Sequence, residues 1–251
     1  MDRREMMRRL MRYILLFPMG LAGVHHAAAS SKQTRKRKAA EALSKTHWLG
    51  HASFRIDVED IVVYLDPWQI PDGPKADLIL ITHDHHDHCS PKDVAKIRKD
   101  DTTIVTVPAA TAKLSGSVET IAPGDEITVK GLRVSAVPAY NINKFRSSGV
   151  AFHPIEKAYV GFVFDVGGQR FYHAGDTDCI PEMKSLEADI ALLPVSGTYV
   201  MTAEEAVEAV KKIEPQVAVP MHIGRGIGSL GDADAFKQKA PDVAHVLPFE
   251  K

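Results

Sequence analysis

The 251-residue chain has little cysteine, almost no net charge and no long uninterrupted hydrophobic run. Its two cysteines, Cys89 and Cys179, cannot build a disulfide framework. We predict that they are small buried residues near strand ends, while a bridge between them or a sulfur ligand to a metal stays open. The apolar stretch at residues 13–24 is short and is interrupted by Pro18 and Gly20, so it is a poor candidate for a membrane span.

The formal net charge of −1 conceals an uneven distribution of charge along the chain. Residues 1–38 carry ten Lys or Arg and two acidic residues, which leaves 21 Lys or Arg and 30 Asp or Glu in the rest. The body of the protein is therefore near −9 and the leader near +8. An acidic body argues against general nucleic-acid binding, which needs a basic surface. A small-molecule substrate, including a phosphorylated one, is compatible with it.

The N-terminal residues 1–29 have the pattern of an export signal. Five arginines precede the apolar stretch, and residues 27–29 are three alanines that fit a cleavage site. We therefore predict an exported, periplasmic protein without a stable membrane span in its mature chain. An uncleaved anchor, or a cytoplasmic protein with a misassigned start codon, are the alternatives. Residues 30–46 are predicted to be a basic linker.

Residues 47–251 are predicted to form one α/β domain, because 45% of the chain is hydrophobic and strand-like runs alternate with helical ones. Ser90 is predicted to cap one helix, and Thr202 begins a capping box that opens another, which Pro215 ends. Predicted strands cover residues 47–56, 61–65, 76–82, 103–107, 132–137, 159–166, 169–173, 190–193 and 217–221.

The strongest chemical signal is a His-x-His-x-Asp-His motif directly after the apolar run at residues 78–81. It consists of His83, His85, Asp87 and His88. Imidazole nitrogens and carboxylate oxygens bind divalent zinc, manganese and iron. In an extended strand, alternate side chains share a face, so the first two histidines point together and the last two residues can face a second metal.

Two later predicted strands also end in metal-binding residue types. Asp176 follows one strand through Gly175, a residue that permits a tight turn, and His222 follows another. Active sites of α/β proteins gather at one sheet edge, where the loops meet. We therefore expect these residues to join the histidine-rich motif at one site.

Together these motifs resemble the metallo-β-lactamase superfamily. The segments Leu49–Phe54 and Leu65–Pro67 resemble its branch of small metal-dependent hydrolases, which includes ascorbate-6-phosphate lactonase-like proteins. The resemblance runs from about residue 47 to the C-terminus. It implies a four-layer αβ/βα sandwich with two divalent metals at one edge, zinc by preference, with manganese or iron as alternatives.

The resemblance also implies a role for each ligand. His83 and His85 would bind the first metal, Asp87, His88 and His222 the second, and Asp176 would bridge both. Asp87 and Asp176 thereby become the candidate catalytic carboxylates. The third histidine usual for the first metal is missing from residues 137–144, where Tyr140 or Asn141 stands near its place. His153 either replaces it or contacts substrate.

Other residues near these motifs are assigned supporting roles. His51 is expected to face the site as a substrate contact or a neighbour of the ligands. Asp66 is expected to orient a ligating histidine by a hydrogen bond, as metal-bound imidazoles usually require. Tyr140, Asn141, Lys144 and His153 are candidate substrate contacts. The Gly226–Gly231 run formally matches a dinucleotide fingerprint, but too few residues follow it for a second crossover unit.

The function implied by this reading is metal-dependent hydrolysis of an ester, lactone or phosphodiester-type bond. A metal-activated hydroxide at a binuclear centre would be the nucleophile, since metal binding lowers the pKa of water to about 7. The alternative is an iron-dependent oxidoreductase on the same fold, since similar ligand sets in this superfamily also hold iron. The identity of the substrate does not follow from these motifs.

Overall fold

A computed structural model describes residues 33–250. The predicted export signal at residues 1–29 lies outside these residues. Among those described, no helix is both long enough and apolar enough to cross a membrane. The chain divides into two compact units, residues 1–38 and residues 39–251, and the described part of the first unit is helical.

The second unit begins before the predicted domain start at residue 47. Residues 39–43 are helical, and Ala39, Ala42 and Leu43 are buried in its hydrophobic core. The predicted linker at residues 30–46 therefore includes residues that belong to the domain. The basic run at residues 35–38 is typical of a linker, whereas the apolar residues that follow it pack into the core.

The first of two mixed sheets is built from the N-terminal half of the domain. Its six strands lie in sequence order, with antiparallel pairing from β1 to β3 and parallel pairing from β3 to β6. The predicted strand at residues 47–56 is two strands, because Gly50 and His51 turn the chain with positive φ angles. The strands are β1 (Thr46–Gly50), β2 (Ser53–Val58), β3 (Ile61–Leu65), β4 (Leu78–Ile81), β5 (Thr103–Thr106) and β6 (Ser117–Thr120).

The second sheet is built from the C-terminal half and has the order β14-β13-β12-β11-β8-β7. Its strands pair antiparallel from β7 to β12, and parallel from β12 to β14. A separate short hairpin, β9 with β10, lies between β8 and β11 along the chain. The strands are β7 (Glu126–Val129), β8 (Leu132–Pro138), β9 (Phe145–Ser147), β10 (Val150–Ala151), β11 (Val160–Val166), β12 (Gln169–His173), β13 (Ile190–Pro194) and β14 (Val217–Met221).

Two helices of the second unit begin at signals found in the sequence. Ser90 accepts a hydrogen bond from Asp93 N at 3.3 Å, and the predicted capping box of Thr202 with Glu205 is confirmed in both directions. After residue 90 the helices are α1 (Pro91–Ile97), α2 (Pro108–Thr111), α3 (Ala203–Ile213) and α4 (Leu230–Lys239), with 3-10 turns at Ile155–Lys157 and Pro181–Ser185.

Both sheets contribute to one hydrophobic core. Buried residues of β1 to β5, of β7 and β8, and of β11 to β14 belong to a single cluster, while α3 contacts β13 and α4 contacts β14. The strands at its centre are apolar throughout, as expected when both faces of a parallel sheet are covered. The predicted α/β sandwich of metallo-β-lactamase type is confirmed.

Candidate metal centre

The histidine-rich motif follows β4, and its first two histidines face a small space shared with two later loops. We call His83, His85, His153 and Asp176 the first group, because their ligand atoms all lie within 4.8 Å of one another. Three of these side chains are buried and His85 is half-buried. The structure thus brings His153 into the position where the sequence lacked a third histidine.

The second half of the motif belongs to another group of four. His51, Asp87, His88 and His222, the second group, have ligand atoms within 4.8 Å of one another and are all buried. His51 was expected only to support the site, yet its Nε2 lies 3.4 Å from Asp87 Oδ2. The tight turn between β1 and β2 directs this histidine towards the ligand atoms.

Asp176 contacts histidines of both groups. Its Oδ2 lies 3.2 Å from Nε2 of His153 and 3.2 Å from Nε2 of His222. Its Oδ1 lies 3.2 Å from Nε2 of His88. One carboxylate therefore lies between the two groups, which is the position expected of a bridging ligand.

A glycine determines how Asp176 reaches this position. Gly175 follows β12 with a φ of +62°, in the left-handed region that side chains disfavour. A Cβ at this residue would lie 2.8 Å from the carbonyl oxygen of Val160 and 3.1 Å from Thr82 Cβ. The close approach of β11 to this turn therefore requires glycine immediately before the shared carboxylate.

The residues of both groups fit divalent cations. Several of their buried nitrogen and oxygen atoms have no hydrogen-bond partner among residues 33–250, a costly situation for polar atoms removed from water. Their 3.2 Å contacts with Asp176 lack hydrogen-bond geometry. A cation between these atoms would satisfy them. They are His51 Nδ1 and Nε2, His88 Nε2, His153 Nε2, His222 Nε2 and Asp176 Oδ1.

Burial also sets the protonation of the histidines. It lowers the pKa of His51 to about 4 and the pKa of His83 well below its ordinary value. Both imidazoles are therefore neutral near pH 7, the form that binds metals. Burial acts the same way on His88, but the carboxylates of Asp176 and Asp66 outweigh it and raise the pKa of His88. The carboxylates around His88 therefore favour positive charge at this position.

Further side chains hold the outer ring nitrogens of the second group. Nδ1 of His88 lies 2.7 Å from Asp66 Oδ2, the type of contact expected for Asp66. Thr82 fixes this carboxylate by donating its N–H to Oδ1 at 2.8 Å and its hydroxyl to Oδ2 at 2.7 Å. Nδ1 of His222 lies 3.0 Å from Ser196 Oγ. These contacts leave each Nε2 directed inward.

Asn141 has the corresponding role for His153. Its Oδ1 accepts the His153 backbone N–H at 2.8 Å and lies 3.0 Å from the ring Nδ1. Its amide donates to Asp178 Oδ1 at 3.2 Å, and the other oxygen of Asp178 accepts the backbone N–H groups of Ile142 and Asn143. Asn141 is therefore a positioning residue. Asp178 was missed from the sequence, whereas Asn141 was among the candidate residues of the irregular segment.

The remaining candidates from the irregular segment point elsewhere. The hydroxyl of Tyr140 donates to Glu182 at 3.1 Å, and Lys144 forms an ion pair with Glu205 at 2.7 Å. Neither side chain lines the cavity above the two groups. The structure therefore does not bring these two side chains to the cavity, because each is held by a carboxylate on a neighbouring loop or helix.

A cavity of about 430 Å³ opens directly onto the two groups. This volume falls within the usual range for small-molecule sites. Several of its walls come from residues that carried no motif in the sequence. Arg146 lies just beyond the segment identified as irregular, whereas Tyr199 follows β13 at a position without any signal. The cavity is lined by His85, His86, Asp87, Arg146, Phe152, His153, Asp176, Tyr199 and Ile227.

The cysteines and the Gly226–Gly231 run lie outside the two groups. Cys89 and Cys179 are both free thiols, and neither belongs to the two groups. Burial raises the pKa of Cys89 to about 11, so it is a thiol near neutral pH. The Gly226–Gly231 run ends within the first turn of α4, and its Ile227 lines the cavity.

Comparisons with known proteins agree with this arrangement. The profile of the family described as Beta-lactamase superfamily domain matches residues 45–222. A UPF0173 metal-dependent hydrolase of Methanopyrus kandleri is 32% identical over 213 residues, covering 78% of this chain and 91% of the relative. Another, from Thermoplasma acidophilum, is 36% identical over 216 residues, covering 79% of this chain and 92% of the relative.

A solved structure gives the same result in three dimensions. The crystal structure of a candidate metal-dependent hydrolase from Parabacteroides distasonis superimposes with a TM-score of 0.71 and 33% sequence identity. The match covers 82% of this chain and 93% of the other. The family profile spans both ligand groups, from the turn carrying His51 to His222. This chain belongs to the beta-lactamase superfamily and, within it, to the UPF0173 metal-dependent hydrolases.

Proposed function

We propose that this enzyme hydrolyses an ester, lactone or phosphodiester-type bond in a small molecule, with two zinc ions held by the first and second groups. The observation that carries the proposal is the pair of four-residue groups, with Asp176 between them and inward nitrogens that lack hydrogen-bond partners. Three imidazoles and a carboxylate in each group suit zinc, and manganese or iron are the alternatives.

The ions, when bound, would supply a nucleophilic water of lowered pKa and polarise the oxygen on which negative charge develops. The protein residues hold this arrangement. Asp176 would fix the separation of the two groups, and Asp66 and Asn141 keep His88 and His153 in the orientation that directs Nε2 inward. The chain needs no serine or cysteine nucleophile at this site.

The cavity supports a small substrate. Its volume of about 430 Å³ suits a small molecule, and the bond to be cleaved would lie above His85, Asp87 and Asp176, which are among the lining residues. The resemblance to ascorbate-6-phosphate lactonases makes lactones one class to include in a substrate screen. We also propose export to the periplasm, on the basis of the basic and apolar leader at residues 1–29.

The test is metal content together with turnover, measured on the chain without a histidine tag. We expect about two ions per chain and loss of turnover after chelation. His85→Ala should lose first-group metal and turnover together. His86→Ala is the matched control for metal content, because the His86 side chain is 85% exposed and lies outside both groups.

Two outcomes would contradict the proposal. Full turnover in His85→Ala or Asp176→Ala would separate the reaction from these groups. Iron as the only bound metal, with turnover that consumes dioxygen, would instead favour the oxidoreductase alternative. Cleavage of an ester, lactone or phosphodiester that stops on chelation and resumes with zinc would support hydrolysis.

A further inference from the structure

Besides residues of the two groups, the wall of the cavity contains one arginine and two aromatic rings. Arg146 lies in β9 of the exposed hairpin, between Phe145 and Ser147. Alternate residues of a strand point to opposite faces, so Arg146 lines the cavity whereas Phe145 is half exposed on the other side. The hairpin thus presents a cation to the space above the ligand groups.

Arg146 has no ion-pair partner within residues 33–250. It contacts Phe152, whose carbonyl oxygen accepts a hydrogen bond from Nη2 at 3.4 Å and whose ring centroid lies 5.5 Å from Cζ. Most other arginines near the sheets are paired, as Arg133 is with Asp165 at 2.9 Å. The guanidinium of Arg146 therefore keeps its donors available to a molecule in the cavity.

The aromatic part of the wall is held firmly. Phe152 and Tyr199 have ring centroids 4.6 Å apart in an edge-to-face arrangement. Tyr199 has a φ of +67°, an unusual value for an aromatic residue, and its carbonyl oxygen accepts the amide of Asn141 at 2.9 Å. Backbone strain of this kind persists where surrounding contacts impose it, and it concentrates at functional sites.

The same amide links the wall to the floor. Asn141 positions both His153 in the first group and the backbone of Tyr199. The base of the hairpin is also fixed, since Lys144 pairs with Glu205 and lies 3.6 Å from Asp178. These contacts therefore hold the backbone on either side of Arg146 in place relative to His153 of the first group.

We propose that Arg146, Phe152 and Tyr199 form an anion subsite that selects substrates with a negatively charged group remote from the bond to be cleaved. The guanidinium would bind a carboxylate or a phosphate, because its fork of N–H donors suits anions that present two or more oxygens. The two rings would contact an aromatic or apolar portion between that anion and the reactive bond. This inference rests on the proposed hydrolysis and specifies its substrate class.

The test compares charged and neutral ligands of the same shape on the metal-loaded protein. Binding of 4-hydroxybenzoate, 4-hydroxybenzamide and 4-hydroxyphenylphosphonate is measured by calorimetry, with wild type and three variants. Arg146→Gln removes the charge, and Arg146→Lys retains it without the fork. Arg133→Gln is the matched control, because Arg133 is also exposed but lies in a separate groove.

We expect wild type to prefer the anions over the amide and Arg146→Gln to weaken anion binding about 10-fold or more, as for loss of a charge-assisted hydrogen bond. Binding of the amide should be the same in Arg146→Gln as in wild type. Arg146→Lys should keep part of the preference for the anions, and Arg133→Gln should keep all of it. The benzoate and phosphonate arms decide which anion fits better.

The inference is overturned if wild type shows no preference for the anions. It is also overturned if Arg146→Gln keeps the preference, since the metals alone would then bind the anion. Turnover of 4-acetoxybenzoate and 4-acetoxybenzamide tests hydrolysis separately. Preferential binding without ester cleavage would contradict ester hydrolysis while leaving the subsite supported. Cleavage of both esters at equal efficiency would support hydrolysis and refute the subsite.

Discussion

Replacing Asn141 with alanine should weaken metal binding in the first group more than in the second. The change removes the acceptor for the His153 backbone N–H at 2.8 Å and its partner at ring Nδ1. It also removes the donor to Asp178 and to the Tyr199 carbonyl. The second group has no contact with Asn141, so its histidines keep their own supports.

The magnitude follows from these contacts. Loss of a residue that orients a metal-binding histidine costs roughly 10- to 100-fold in metal affinity. Each neutral hydrogen bond contributes about 1 kcal/mol, so the free energy of unfolding should fall by about 2–4 kcal/mol. Asn143→Ala is the matched control, because its exposed amide contacts Glu205 at 2.7 Å and Lys144 at 2.5 Å, and neither partner belongs to the two groups.

The assay is titration of metal-loaded protein with a chelator, read as release of two successive ions, and thermal unfolding of the same samples. Asn141→Ala should release one ion at a chelator concentration about 10-fold lower or more, with the other ion close to wild type. Equal weakening of both ions, or the same curve for Asn141→Ala and Asn143→Ala, would refute the role assigned to Asn141.

Three further changes test separate parts of the structure. Gly175→Ala should lower the free energy of unfolding by about 2 kcal/mol or more, since its Cβ would meet the Val160 carbonyl; an unchanged melting temperature would contradict this. His51→Ala should lower the affinity of the second ion in a chelator titration while the first stays bound, and equal occupancy would exclude His51 as a ligand. Burial raises the pKa of Glu205, but hydrogen bonds from Lys144 and Asn143 outweigh it and lower the pKa. The stability that results from this lowered pKa is fully present above pH 4.5, the ordinary pKa of a glutamate, and is lost as pH falls through the pKa of Glu205 in the folded protein. Glu205→Gln should therefore flatten a curve of unfolding against acid pH.

The fold could be predicted from local sequence patterns to a large extent. Apolar runs predicted the central strands of both sheets, and capping signals predicted where α1 and α3 begin. Weaker strands were missed, namely β6, β7, β9 and β10, because their residues are mostly exposed and carry no apolar run. The start of the domain was also missed, since short apolar residues next to a basic run gave little signal.

The residues of the candidate metal centre also fall into those that the sequence predicted and those that only the structure brought to the site. His83, His85, Asp87 and His88 are adjacent in the chain, so a spacing rule finds them. His51 and His153 are far from that motif along the chain, and only the loops that follow β1 and β10 bring them to the ligand atoms.

Sequence alone therefore determined the layered α/β class, the histidine-rich motif and the chemistry that such ligands support, because each depends on residue type and short-range spacing. Tertiary structure decided that His51 and His153 complete two groups, that Asp176 lies between them, and that Arg146 faces the cavity. These features depend on distances between residues remote in the chain, which sheet pairing and loop packing set and which no local pattern encodes.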